Sequence, residues 1–212
     1  MFYEPAKRNH GLPHSPLKAI VAPRPIGWIS SLTPAGTANL APYSFFNLIC
    51  EVPPLVMFSS LGRKDSVANI EATGEFVCNL AVLDLVDAIN LCSAPLPPDQ
   101  SEFDFAGLEK APSRLVKPPR VAAAPCALEC VYVETIRPRA KDGTLTNAHM
   151  IIGEVVGVHI DDGAIVDGRV DIAMLKVLSR CGYLDYGPIE RLVERERPPG
   201  GGSDLKARAP AA

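Results

Sequence analysis

Proline spacing is the feature that most limits what this chain can fold into. Its 21 prolines interrupt nearly every stretch that could extend into a long helix, because proline lacks an amide hydrogen and clashes with the preceding turn. Between them lie short apolar runs: Ile20 to Leu32, Thr37 to Asn47, Leu55 to Ser60, Glu75 to Val82, Cys126 to Ile136, Ala148 to Ile160 and Arg180 to Tyr186. Their length and their β-branched content read as strands. Turn signals separate several of them, including Thr33-Pro34-Ala35-Gly36, Lys141-Asp142-Gly143 and Asp161-Asp162-Gly163. The pattern predicts a mainly β, antiparallel barrel carrying short helices.

Asp65 or Ser66 suits the N-cap of a helix over 67–73, and Gly74 suits its end. Leu83, Val86, Ala88 and Ile89 suggest a second helix ending before Pro95. Residues 95–125 read as a long connection with an aromatic plug of Phe103 and Phe105. Pro42 predicts a sheet edge or a bulge. The nearly all-apolar run 148–160 predicts a central strand buried on both faces. Val170 to Leu178 reads as a short helix or loop, and Glu190 to Arg197 as a short helix. Residues 1–18 form an arm, 19–190 one domain, and 191–212 a charged and then Pro/Gly/Ala-rich tail, disordered at its end.

Composition narrows the function. A net charge of −3 with no basic stripe gives no support for nucleic-acid binding. No apolar run is long enough to span a bilayer. The start of the chain is not a secretory segment, and the six cysteines include no Cys-x-x-Cys, so free thiols and a cytoplasmic location are expected. His10 and His14 stand four apart, but Pro13 breaks any helix between them, so no metal site is expected. Rossmann, phosphate-loop, nucleophile-elbow and zinc-helix motifs are missing.

Several short motifs occur in a set order. Pro23-Arg24-Pro25-Ile26 is followed by Asn39-Leu40-Ala41-Pro42-Tyr43-Ser44-Phe45-Phe46-Asn47, then by Lys64-Asp65-Ser66 with Asn69-Ile70. Later come Glu75 to Leu80, His149 with Gly153-Glu154-Val155-Val156, and Arg180-Cys181-Gly182-Tyr183. In this order the chain resembles the flavin reductase-like proteins, whose fold is the FMN-binding split β-barrel. The resemblance implies FMN as cofactor, NADH or NADPH as electron donor, a homodimer with flavin near the interface, and a partner oxygenase or other electron acceptor.

The resemblance also implies a site. The backbone of Ala41, Pro42, Tyr43, Ser44 and Phe45, with the Asn39 and Asn47 side chains, would meet the ring edge. Ser30, Ser31, Ser59 and Ser60 would offer hydroxyls to the ribityl chain or phosphate, and Lys64 and the helix start near Ser66 would face the phosphate. Arg24 and Arg180 would reach the flavin or the interface, and His149 the nicotinamide side. Other roles stay open: strand hydroxyls for Ser30 and Ser31, turn bonding for Asn39 and Asn47, a capped helix start for Lys64 to Ser66, and ion pairs for Arg24 and Arg180. Trp28 and His159 read as structural. Asn147-Ala148 precedes His149 where the family has Gly-Asp, so an FMN-binding electron carrier without nicotinamide turnover is the alternative.

Overall fold

The structure, a computed structural model, describes residues 1–97 and 99–196. Helix α1 (Leu17–Ile20) leads into β1 (Arg24–Pro25), β2 (Gly27–Leu32), β3 (Ala38–Tyr43), β4 (Phe46–Glu51) and β5 (Pro54–Leu61). Next come α2 (Asp65–Thr73), β6 (Glu75–Leu80), α3 (Val86–Leu91), α4 (Glu102–Phe105) and the short pair β7 (Lys110–Ala111) and β8 (Arg120–Val121). The long strands β9 (Cys126–Ile136) and β10 (Ala148–Ile160) precede β11 (Ile165–Val166), β12 (Arg169–Val170), β13 (Leu178–Gly182) and β14 (Asp185–Pro188). The main sheet runs β3-β2-β6-β9-β10-β5-β4, with a small sheet β1-β13-β14 beside it. Its ladders are antiparallel.

Period-two alternation divides the core between the two faces of the sheet. One face buries Ile29, Phe58, Phe76, Cys130 and Ile151 against Val67 and Ile70 of α2. The other buries Trp28 and Leu40 with Ile89, Phe103 and Val121. Trp28 is therefore core. Gly153 lies flat on Phe76: a Cβ there would come within 2.4 Å of the ring. Gly74 ends α2 at φ 77°, its amide bonded to the Ile70 carbonyl.

The connection after α4 is sewn to the sheet. Ser30 Oγ donates to the Pro119 carbonyl, the Val121 amide donates to Asn79 Oδ1, and the Lys117 amide donates to Glu75 Oε2. Fully buried Glu129 accepts the amides of Arg114, Leu115 and Val116 and also pairs with His159. Burial pushes the Glu129 carboxyl up, but these hydrogen bonds outweigh it and hold it down at about 2.

Several expectations need correction. Thr37 to Asn47 is not one strand: the chain turns at Ser44 and Phe45, and Asn47 belongs to β4, paired with β5. Pro42 takes the edge alternative and not the bulge: β3 is an edge strand, with Pro42 in unbroken register opposite Trp28. The N-cap of α2 is Lys64, with no side-chain cap, because the Ser66 hydroxyl bonds to Asn39 instead. Only the first half of β10 is buried on both faces, and Val156, Val158 and Ile160 are exposed. Phe103 is buried but Phe105 is exposed. Between β12 and β13 the chain takes the loop alternative, with turns over 172–176 and Val177 bridged to Val82, and 190–196 form no helix. The rest of the expected tail, 197–212, lies outside the described residues.

Candidate functional site

Edge strand β3 and the start of α2 enclose a cavity of about 400 Å³ with the segment after α3. Asn39, Ala41, Pro42, Tyr43, Lys64 and Ser66 line it. Cys92 to Leu96 and Glu102 complete the wall. Two features bear on what this space could hold, one electrostatic and one of size. No side chain caps the first turn of α2, so its amide groups and the Lys64 ammonium favour negative charge, against the opposing carboxylate of Asp65 in the same turn. The cavity also lies within the ~300–1,000 Å³ range of small-molecule sites.

Behind the cavity runs a buried polar network. Asn39 Nδ2 donates to Glu102 Oε1 at 3.0 Å and to Oε2 at 2.9 Å, and the Leu40 amide donates to Oε2 at 2.8 Å. Ser66 Oγ donates to Asn39 Oδ1 at 2.9 Å, and Ser31 Oγ does so at 3.4 Å. The Tyr43 hydroxyl lies beside Ser66 and Ser60, and burial pushes its pKa up. Ser60 Oγ donates to the Gly62 carbonyl. Ser60 stands opposite His149 in the β10–β5 register. His149 is 7% exposed, and its Nδ1 has no hydrogen-bond partner among the described residues.

The remaining sequence candidates lie elsewhere. Ser30 turns to Pro119, on the other side of β2. Ser44 and Ser59 are half-buried near the turn into β4, and the Phe45 carbonyl accepts the Ser59 amide. Asn47 is exposed and accepts the Leu48 amide. Arg24 and Arg180 pair in register on the small sheet. Arg24 donates to the Lys18 and Val21 carbonyls. Arg180 donates to the Asp185 and Tyr183 carbonyls of its own hairpin, its guanidinium 4.4 Å from the centroid of the Tyr186 ring.

Sequence reasoning missed Glu102 and the Cys92 to Leu96 wall. A Ser-Glu pair at the head of a short helical run is the trace Glu102 leaves, but its partners are more than 60 residues away. Burial pushes the Cys92 thiol up to about 12, with the nearby Glu102 charge adding to it and a Trp28 contact opposing, so it is not a ready nucleophile. A second cavity of similar size lies within the N-terminal arm, lined by Tyr3, Arg8 and His10 among others. No buried, unpaired polar side chain faces it among the described residues. Those residues also hold no cluster able to ligate a metal, and no helix among them is long and apolar enough to cross a membrane.

The split antiparallel barrel places the chain among the flavin reductase-like barrels. Residues 21–171 match the family described as "Flavin reductase like domain". The chain is 36% identical to an uncharacterized protein of Halalkalibacterium halodurans, covering 91% of this chain and 92% of that protein. Among solved structures it is similar to nitrilotriacetate monooxygenase component B from Bacillus cereus, at 31% identity and TM-score 0.83, covering 92% of this chain and 98% of that one. It is also similar to 2-nitrobenzoate 2-nitroreductase from Pseudomonas fluorescens, at 27% identity and TM-score 0.81, covering 96% and 99%. The chain belongs to the flavin reductase-like family.

Proposed function

We propose that the chain binds FMN in the cavity between β3 and α2 and uses NADH or NADPH to reduce it. The electrons pass to a partner oxygenase or another acceptor. The observation that carries this reading is the uncapped start of α2, with Lys64, opening on a cavity of suitable size. Those groups fit a phosphate. Bound FMN supplies a ring that takes up hydride and gives electrons back singly or in pairs.

The chain's own part is to bind and orient. Lys64 and the α2 amides hold the phosphate end. Ala41, Pro42 and Tyr43 form a wall for the ring, Tyr43 and Ser60 supply hydroxyls beside it, and Ser66, at the start of α2, lies toward the phosphate end. Buried His149 has a free ring nitrogen one residue pair from this cluster and orients the reacting end. The resemblance to an oxygenase component supports an oxygenase as acceptor. A second copy of the chain would cover the apolar side chains left exposed on the main sheet, including Leu48, Ile49, Val131, Val133 and Val158.

One observation favours the carrier reading: His149 is nearly inaccessible, so a nicotinamide would have to approach over other groups. The deciding experiment is an anaerobic spectrum of the FMN-loaded protein before and after NADH and then NADPH. Bleaching by either establishes the reductase. A yellow protein that neither bleaches is a carrier, and a protein that takes up no FMN overturns both readings.

A further inference from the structure

Glu102 is only 5% exposed, and its carboxylate oxygens accept from N–H donors, twice from Asn39 Nδ2 and once from the Leu40 amide. Such surroundings suit a carboxylate and not an acid. The carboxylate in turn dictates how the Asn39 carboxamide lies. With Nδ2 committed to Glu102, Oδ1 faces Ser66 and Ser31 and accepts both hydroxyls. The Ser66 proton then points away from the cavity that Ser66 lines.

Building on the FMN reading above, we propose that Glu102 is a positioning residue of that site, acting through Asn39: ionised, it turns the Ser66 proton inward, and protonated, it releases that proton to the ligand. A protonated Glu102 presents a donor to Asn39, which two facing donors make untenable. The carboxamide turns over, Oδ1 accepts from Glu102, and Nδ2 donates to Ser66 Oγ. The Ser66 hydroxyl is then free to donate into the cavity. One negative charge beside the phosphate region is lost in the same step. Both changes favour an anionic ligand, so FMN binds more tightly as pH falls, and binding takes up a proton.

The groups around Glu102 leave this titration legible. Burial pushes its carboxyl up, Asp65 adds to that, and the Leu40 and Asn39 bonds oppose it. Tyr43 on β3 and Cys92 after α3 face the same cavity. Burial pushes both up, Cys92 to about 12, so both stay protonated across the range tested. Lys64 and Asp65, at the start of α2, are unchanged in the variant and cancel in a comparison.

The test compares FMN dissociation constants, read by fluorescence quenching, for the full chain and Glu102→Gln between pH 8 and pH 5. Glutamine keeps the shape and offers one acceptor and one donor, as the protonated acid does. The ratio of the two constants should be about tenfold at pH 8, the worth of one redirected hydrogen bond, and should fall toward one on acidification. The titration of the FMN phosphate is common to both proteins. A ratio that does not change with pH overturns the proposal. If neither protein binds FMN, the functional reading fails by itself. The network is then judged in the FMN-free wild-type chain by the NMR signal of the Asn39 side-chain amide. A pH-dependent shift of that signal supports the proposal, and an Asn39 signal indifferent to pH sinks it.

Discussion

His149 stands directly opposite Ser60 in the β10–β5 ladder, with a buried ring nitrogen that no described residue engages. Buried polar atoms are nearly always paired, and under the proposed function this nitrogen meets its partner at the reacting end of the site. Replacing His149 with leucine removes a polar atom that gains nothing in the free protein. The variant should keep its denaturation midpoint, with a change within about 1 kcal/mol. Bleaching of bound FMN by reduced nicotinamide, followed by stopped flow, should slow at least about tenfold. Equal rates would remove His149 from the site.

Lys64→Gln separates the phosphate end from the ring. The variant should bind FMN about five- to thirtyfold more weakly, the worth of one charge-assisted contact beside a helix start. Its affinity for riboflavin, which lacks the phosphate, should not change. Titration calorimetry with both ligands reads the difference, and an equal loss for both would place Lys64 away from the phosphate.

Glu129 anchors the 114–116 backbone as a carboxylate. Its folded-state pKa of about 2 lies below the ordinary 4.5. Its contribution to stability is therefore fully present above the ordinary value and is lost as pH falls toward 2. Glu129→Gln should cost about 2–4 kcal/mol near neutral pH and flatten the acid limb of the stability curve. Urea melts of both proteins from pH 7 to pH 3 check this. An unchanged acid limb would mean that the carboxylate is replaceable.

Gly153→Ala tests the packing of β10 on Phe76. The added methyl would lie 2.4 Å from the ring, and Phe76 is fully buried. A loss of about 1–3 kcal/mol is expected, as for other overpacked cores. Phe76→Leu in the same background should recover part of it, because a smaller side chain reopens the space. Thermal melts of the single and double variants supply the cycle.

Leu48→Asp puts a charge into the apolar patch on β4, where Leu48 is 51% exposed. If a second copy covers this face, sedimentation should show a shift toward the single chain, with the fold retained by circular dichroism. Unchanged sedimentation would move the contact to another face.

How much of this was legible depended on the range of the interactions. Strands β9 and β10 could be read to the residue because their β-branched runs are long and end in Pro, Gly or Asp turns. The end of α2 was legible from Gly74, whereas its start lies two residues before the expected 67–73. The split between β3 and β4 was not, because Tyr43 to Asn47 continues the apolar pattern and the turn at Ser44 and Phe45 has no glycine or proline. The cavity wall lining Asn39 to Tyr43 and Lys64 to Ser66 was legible through family motifs. Local pattern sets Ser30 and Ser31, adjacent on β2, on opposite faces, but it did not show which one meets Pro119 and which one Asn39. The register of the sheet decides that. Glu102 was illegible because its partners come from β3.

The edges of the main sheet have a further consequence. Both outer strands are denied to other chains by side chains. On β3 the Leu40 amide is taken by Glu102, and Pro42, two residues on and of the same facing, has no amide hydrogen. On β4 the Leu48 amide is taken by Asn47, and the ladder is irregular between Leu48 and Cys50. A strand from another molecule finds no row of donors to zip onto. Growth by edge addition, the route to fibres, would meet these blocked positions at either end of the main sheet.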